Sequence, residues 1–475
     1  MSPPSCPEFL HLASELVENV IKQLNNRTDL SNVRLVCKLL DRHAVKELFK
    51  DVYVSPQESH LVTWDAISND DAIRQIPRHA IIHTDPDIEF HGWGWRDNRV
   101  VDEDDEDGDA PTFKKALAAL SRFPNLDSLE IAFTPECLGR EHGYWEEVDE
   151  SWEDRQENLS LIFQAIKDRA ADKNNRTIRK LTIINLQNCP IPEFSSSDLF
   201  RDVMGQLEEL HISMVHEYND HGPDHDYTKI ELQTFPSYFC THWLKPISGN
   251  LKALSIYSGS DNWGPFPGYF DPSGIAFPKL ETLALGYYTL AHDSDLDWVL
   301  AIKSLRKLIL HNCMIASYVR ISSDNLAKWK PPMHGWTRLS DDETNWCKDF
   351  AYNGKWSQHL DRIAEGLPAL FDFQFGYQDS YDEPKYEITN RGNCPTEIFH
   401  QRYITFDNGI LPTHWPEPRY EEGRLHSWGE HKFPNLHEEN LDADQKSLDA
   451  LLRKVMPRSS SETPELDIVY ALNVK

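Results

Sequence analysis

The sequence predicts an α/β protein: a three-helix N-terminal unit followed by an irregular repeat solenoid with a parallel sheet. Two patterns point to it. Residues 9–50 carry the four-residue apolar spacing of short amphipathic helices. Beyond residue 112, a Leu-x-x-Leu-x-Leu pattern recurs seven times, often behind a helix-like segment. With 475 residues the chain exceeds one ordinary core, so two or more packing units are expected. Its 48 Lys and Arg against 77 Asp and Glu give a formal charge of −29, which repels phosphate backbones and anionic lipid. Neither nucleic acid nor a membrane surface is therefore expected as a partner. Hydrophobic residues at 40%, with 14 Trp, supply ample core material.

Helices come first along the chain. Leu12, Leu16, Val20 and Leu24 repeat every fourth residue, and Val17 and Ile21 widen the stripe. Asn25, Asn26 and Arg27 break the pattern, and Thr28 or Asp29 is expected to cap a second helix carrying Leu30, Val33, Val36, Cys37 and Leu40. Val45, Leu48 and Phe49 suit a short third helix. Three such helices bury too little surface to be comfortable alone and are expected to lean on a partner or on the following domain.

The repeats are Leu126/Leu129/Ile131, Ile178/Leu181/Ile183, Leu207/Leu210/Ile212, Leu251/Leu254/Ile256, Leu280/Leu283/Leu285 and Leu305/Leu308/Leu310, with a weaker Leu370/Phe373/Phe375. Successive starts lie 25 to 65 residues apart, so several intervals must carry insertions. Helical segments are read at Phe113/Leu117/Leu120, Leu159/Phe163/Ile166, Leu199/Val203, Leu296/Leu300 and Leu360/Ile363/Leu367. Helix then strand, iterated, stacks strands into a parallel sheet with helices behind it. The polar segments 134–158, 216–248, 259–276 and 316–356 are read as rim loops, and the acidic run 102–109 as solvated chain. Beyond 376, Tyr403/Phe406 and Leu466/Ile468/Tyr470/Leu472 read as strands and Leu448/Leu451/Leu452/Val455 as a helix, which together could cap the arc.

Leu12-Ala13-Ser14-Glu15-Leu16, the spaced Ile21 and Leu24, and Asp29-Leu30 followed by Val33-Arg34-Leu35-Val36-Cys37-Lys38 resemble an F-box over roughly residues 9–52. Ala13 stands where that family usually carries Pro. Leu305-x-x-Leu308-x-Leu310-x-x-Cys313-x-Ile315 resembles the cysteine-containing repeat of F-box leucine-rich-repeat proteins, in which a small buried Cys closes the turn. The resemblance divides the chain into an F-box (1–54), a linker with a first strand and the acidic loop (55–111), a leucine-rich-repeat solenoid with long insertions (112–376) and a C-terminal cap (377–475). What it implies is a non-catalytic substrate-recognition subunit of a Skp–cullin–F-box ubiquitin ligase. The first module would dock a Skp-type adaptor, and through it a cullin, by Leu12, Ala13, Leu16, Ile21, Leu24, Leu30, Val33, Val36, Cys37 and Leu40. A plain helical cap would explain the amphipathic stripes alone; the Arg34–Lys38 run and its distance from Glu15 favour docking.

Residues alternating with the buried aliphatics face the other side of the sheet and are the target-binding candidates: Glu130, Lys180, Thr182, Glu209, His211, Ser255, Tyr257, Lys307 and His311. Trp93, Trp95 and Trp263 are further aromatic candidates. Catalysis has no support, because no nucleophile elbow, phosphate loop or dinucleotide fingerprint occurs. The run Glu103, Asp105, Asp107, Gly108 starts like a calcium loop but places Lys114 at its twelfth position, where Glu is needed. His216–Asp226 is rich in potential metal ligands, yet its Gly and Pro mark a loop. No cofactor or metal is expected. Eight Cys without a CxxC pair, and an N-terminus without a basic and apolar leader, predict an intracellular protein, cytoplasmic or nuclear. A scaffold or regulator acting without ubiquitin transfer is the alternative reading.

Overall fold

The computed structural model describes residues 12–24, 26–85, 112–135, 137, 150–215, 230–258, 262–330, 332–339, 347–377, 396–406, 419–421, 424–426 and 436–462. The acidic run 102–109, the His216–Asp226 segment, Trp93, Trp95 and the strand read at 466–472 lie outside them. The chain divides into two units, 1–132 with 158–179, and 133–157 with 180–475.

In the first unit, α1 (Ser14–Ile21), α2 (Arg27–Arg34) and α3 (Lys38–Leu48) pack on one another. Val17, Ile21, Leu30, Leu40 and Ala44 form their shared core, flanked by Leu24, Val33, Cys37 and Leu48. The cap of α2 is Asn26, whose side-chain oxygen accepts from the Thr28 amide at 2.8 Å, earlier in the chain than expected. The second helix also ends sooner, at Arg34. Cys37 takes an extended conformation (φ −162°, ψ 164°) and starts α3, so Leu40 belongs to the third helix.

The segment from residue 55, read as a linker with a first strand, carries its strand within a parallel sheet. β1 (Asp51–Val54), α4 (Glu58–Asn69), β2 (His79–His83), α5 (Phe113–Ala118) and β3 (Ser128–Ala132) alternate, and the strands pair in parallel in the order β1-β2-β3. Their register aligns Val52, Ala80 and Leu129, then Val54, Ile82 and Ile131, all buried. Trp64 of α4 is fully buried against Phe123 and donates Nε1–H to the Ala116 carbonyl at 2.8 Å. Late in α6 (Trp152–Ala170), buried Arg169 donates to the carbonyls of Phe123, Pro124, Leu126 and Arg176 and satisfies a turn that has no strand partner.

The second unit holds a parallel sheet of β4 (Lys180–Gln187), β5 (Glu209–Val215), β6 (Ala253–Ser258), β7 (Thr282–Gly286), β9 (Lys307–His311) and β13 (Asp372–Gly376), with neighbours in that order. The predicted leucines fall into columns across it: Leu181, Leu210, Leu254, Leu283, Leu308, Phe373, and Ile183, Ile212, Ile256, Leu285, Leu310, Phe375. All are buried, and side chains of this kind stabilise by about 1.5–3 kcal/mol each. Cys313 is buried after β9, its thiol directed at the Leu285 carbonyl at 3.4 Å, and burial pushes its pKa up to about 12. Helices precede the strands at Asp198–Met204, Asp297–Leu300 and Trp356–Gly366.

Two segments expected to be polar loops are ordered structure instead. Residues 230–247 are helical, with Phe235, Phe239, Trp243, Leu244 and Ile247 buried. Residues 314–351 contribute β10 (Met314–Ser322), β11 (Thr337–Arg338) and β12 (Cys347–Ala351) to a second sheet, where β10 pairs antiparallel with β12 and parallel with both β8 (Thr289–Leu290) and β14 (Tyr403–Phe406). Phe266, Met314, Ala316, Val319, Ile321, Phe350, Ile404 and Phe406 build its core. The predicted 403–406 strand thus lies in this second sheet, not on the end of the repeat sheet.

Candidate functional site

Two surfaces carry the predicted contacts. The first is the N-terminal helical module. Helices this short must bury one stripe within the module, and that stripe is Val17/Ile21 with Leu30 and Leu40. Ile21, Leu30 and Leu40 are consequently unavailable to an outside protein, and Leu24, Val33 and Cys37 are half-buried on the same core. Ala13 is exposed. Leu12, Leu16 and Val20, offset from the buried stripe, face outward, as do Leu35 and Val36 in the turn between α2 and α3. Leu35 is 85% and Val36 68% exposed. Only Val62, Leu339 and Leu441 are comparably exposed large apolar residues among the described ones, so exposed hydrophobicity is concentrated in this module. Val20 and Leu35, absent from the sequence-predicted contacts, belong with it; for Val20 the spacing Leu12-Leu16-Val20 was the available signal.

The second surface is the face of the strands opposite the aliphatic columns. Its first row aligns Lys180, Glu209, Ala253, Thr282, Lys307 and Asp372, with Lys180 4.0 Å from Glu209 and Lys307 2.9 Å from Asp372. The next row aligns Thr182, His211, Ser255, Ala284, Ile309 and Gln374, and the third Ser213, Tyr257, Gly286, His311 and Gly376. His211 shares a hydrogen bond with Ser255 at 2.8 Å and sits 3.6 Å from a Glu209 oxygen; with Lys180 it holds the Glu209 carboxyl below its ordinary pKa.

Thr182, His211, Ser255, Tyr257 and His311, expected to reach a target, are all buried. The cause is lateral packing. Tyr257 lies flat across Gly286, where an added Cβ would stand 1.9 Å from the ring, and its centroid is 6.0 Å from that of His311. Ala284 and Ile309 close an apolar cluster with it. Glu130, Lys180, Glu209 and Lys307 keep partial exposure. Trp263 is buried too, its Nε1–H donating to the Gly286 carbonyl at 2.6 Å. Replacing Gly286 by Ala is expected to displace the Tyr257 ring and cost about 1–3 kcal/mol in urea unfolding. Most of that cost should vanish when Tyr257 is also replaced by Ala.

Burial pushes the imidazole of His311 down to about 4, and that of His359 in the Trp356–Gly366 helix likewise. His437 falls to about 4 through burial and the Arg402 guanidinium that donates to its Nδ1. Each ring stays neutral in the fold but titrates near its ordinary value when unfolded, so below about pH 6.5 the unfolded chain binds more protons. Stability is therefore complete above about pH 6.5 and declines as the pH falls toward 4. Urea midpoints measured across that window should drop steadily, with His359→Phe flattening the slope.

Among the described residues no three His, Cys, Asp or Glu are grouped to hold a metal, and no helix is long and apolar enough to cross a membrane. No family model matches the chain, and no curated protein does. Among solved structures the chain is similar to an internalin from Listeria monocytogenes, covering 78% of this chain and 90% of that one at 9% identity and a TM-score of 0.21. A superposition that loose carries no argument about function. The chain is a mixed α/β protein with a large parallel sheet and an exposed apolar surface on its first helices.

Proposed function

We propose that the chain is a non-catalytic F-box protein with a leucine-rich-repeat solenoid, recruiting a protein target to a Skp–cullin–F-box ubiquitin ligase. The observation that carries this reading is the set Leu12, Leu16, Val20, Leu35 and Val36, left outside the core of their own module. Burying what these five side chains still expose contributes roughly 5–9 kcal/mol before association costs of the same order. The Leu-x-x-Leu-x-Leu columns support a repeat scaffold. Held there, a target meets the ligase at raised effective concentration, and the chain itself needs no catalytic group.

Affinity purification from cells, read by mass spectrometry, tests the role. The proposal predicts the adaptor, a cullin and a client that accumulates when the proteasome is blocked. Adaptor without cullin would favour the regulator that acts without ubiquitin transfer; neither partner would reject both.

A further inference from the structure

A cleft of about 560 Å³ in the second unit is lined by Asp293, Ser294, Asp297, Gln358, His359 and Arg362. His359 is 2% exposed, and neither of its ring nitrogens has a hydrogen-bond partner. A buried donor or acceptor left unmade costs about 1–3 kcal/mol, and helix packing alone would be served better by a leucine at this position. Tyr352 donates to one Asp293 oxygen at 2.6 Å, and Arg362 donates to one Asp297 oxygen and to the Asp293 carbonyl. Among the described residues each carboxylate keeps a second oxygen without a hydrogen-bond partner, while the cation lining the cleft, Arg362, is already committed.

We propose that this cleft binds the cationic side chain of an arginine or lysine presented by a protein partner. Ammonium and guanidinium groups carry donors only, which matches two carboxylate oxygens and the bare acceptor nitrogen of a neutral imidazole. Burial keeps His359 in that neutral form. An anion would meet Asp293 and Asp297 instead, and a bare metal ion would lack a third grouped ligand among the described residues. The inference gives the target-holding role a location, and it rests on the receptor reading only for what the cation is attached to.

Fluorescence anisotropy with the full chain and a labelled Gly-Ser-Arg-Ser-Gly peptide tests it. Saturable binding is expected, at least tenfold weaker for the citrulline peptide, for putrescine as competitor compared with the unlabelled Arg peptide, and for the His359→Phe and Asp293→Asn variants. Asp293 is exposed, so its variant reports even if His359→Phe fails to fold. Absent binding, equal binding by citrulline, equal competition by putrescine, or unchanged affinity in a folded His359→Phe or Asp293→Asn variant overturns the proposal. Adaptor binding measured on the same samples separates the two readings. The cleft fails alone if only the peptide result is negative, and it stands alone if Arg-dependent, His359-dependent binding persists without adaptor binding.

Discussion

Replacing Asp444 by Ala is expected to destabilise the second unit by about 3–5 kcal/mol, because it strands a fully buried guanidinium. Arg402 and Asp444 are both completely buried, with Arg402 Nε donating to Asp444 Oδ2 at 2.8 Å. The same carboxylate accepts from the Tyr403 hydroxyl at 2.8 Å and from the Ser357 amide at 2.8 Å. Arg402 spends its remaining donors on the carbonyls of Phe399 and His437 and on His437 Nδ1. Tyr403 in turn accepts from the Trp356 amide, and Trp356 Nε1 donates to the Arg402 carbonyl. One anion thus joins the Trp356–Gly366 helix, β14 and the Leu436–Glu462 helix. Urea unfolding should show the loss, and hydrogen exchange should show it concentrated in those three elements. The double substitution Arg402→Met with Asp444→Leu should recover most of it, since the cost comes from the unpaired charge and not from a missing attraction. A loss below about 1 kcal/mol for Asp444→Ala would show that water reaches the site.

The repeat strands were legible because each carries its aliphatics at fixed offsets, so Leu181, Leu210, Leu254, Leu283 and Leu308 reach one register without any knowledge of the loops between them. β1 escaped because Val52 and Val54 supply only two inward positions and lack the leading leucine, whereas the strand expected within 55–111 is β2. The helix near 230–247 was hidden by Pro236 within it and by the polar stretch before it. The second sheet was hidden because its strands follow no repeat and pair across long separations, as Ile315 does with Tyr403.

Function was less legible than fold. Amphipathic spacing marked the first helices but could not say which of two adjoining stripes the module keeps for itself; Val17 and Ile21 turned inward and Leu16 and Val20 outward. Side-chain alternation placed His211, Tyr257 and His311 on the correct face of the sheet, yet could not show that a glycine at 286 lets Tyr257 lie across it and bury its neighbours. The cleft at His359 draws on residues from 293 to 362, and no local motif links them.

Leu16→Asp with Val36→Asp should leave the fold intact, because both side chains already face solvent. Val33→Asp is a poorer probe, since Val33 packs on the module's core and would confound docking with unfolding. Calorimetric titration of purified chain with a recombinant Skp-type adaptor decides the matter. The account predicts tight stoichiometric binding by the native chain and at least a hundredfold loss in the double variant, equivalent to about 2.7 kcal/mol, with unchanged melting. Equal affinity in both, or no binding by the native chain, would contradict it.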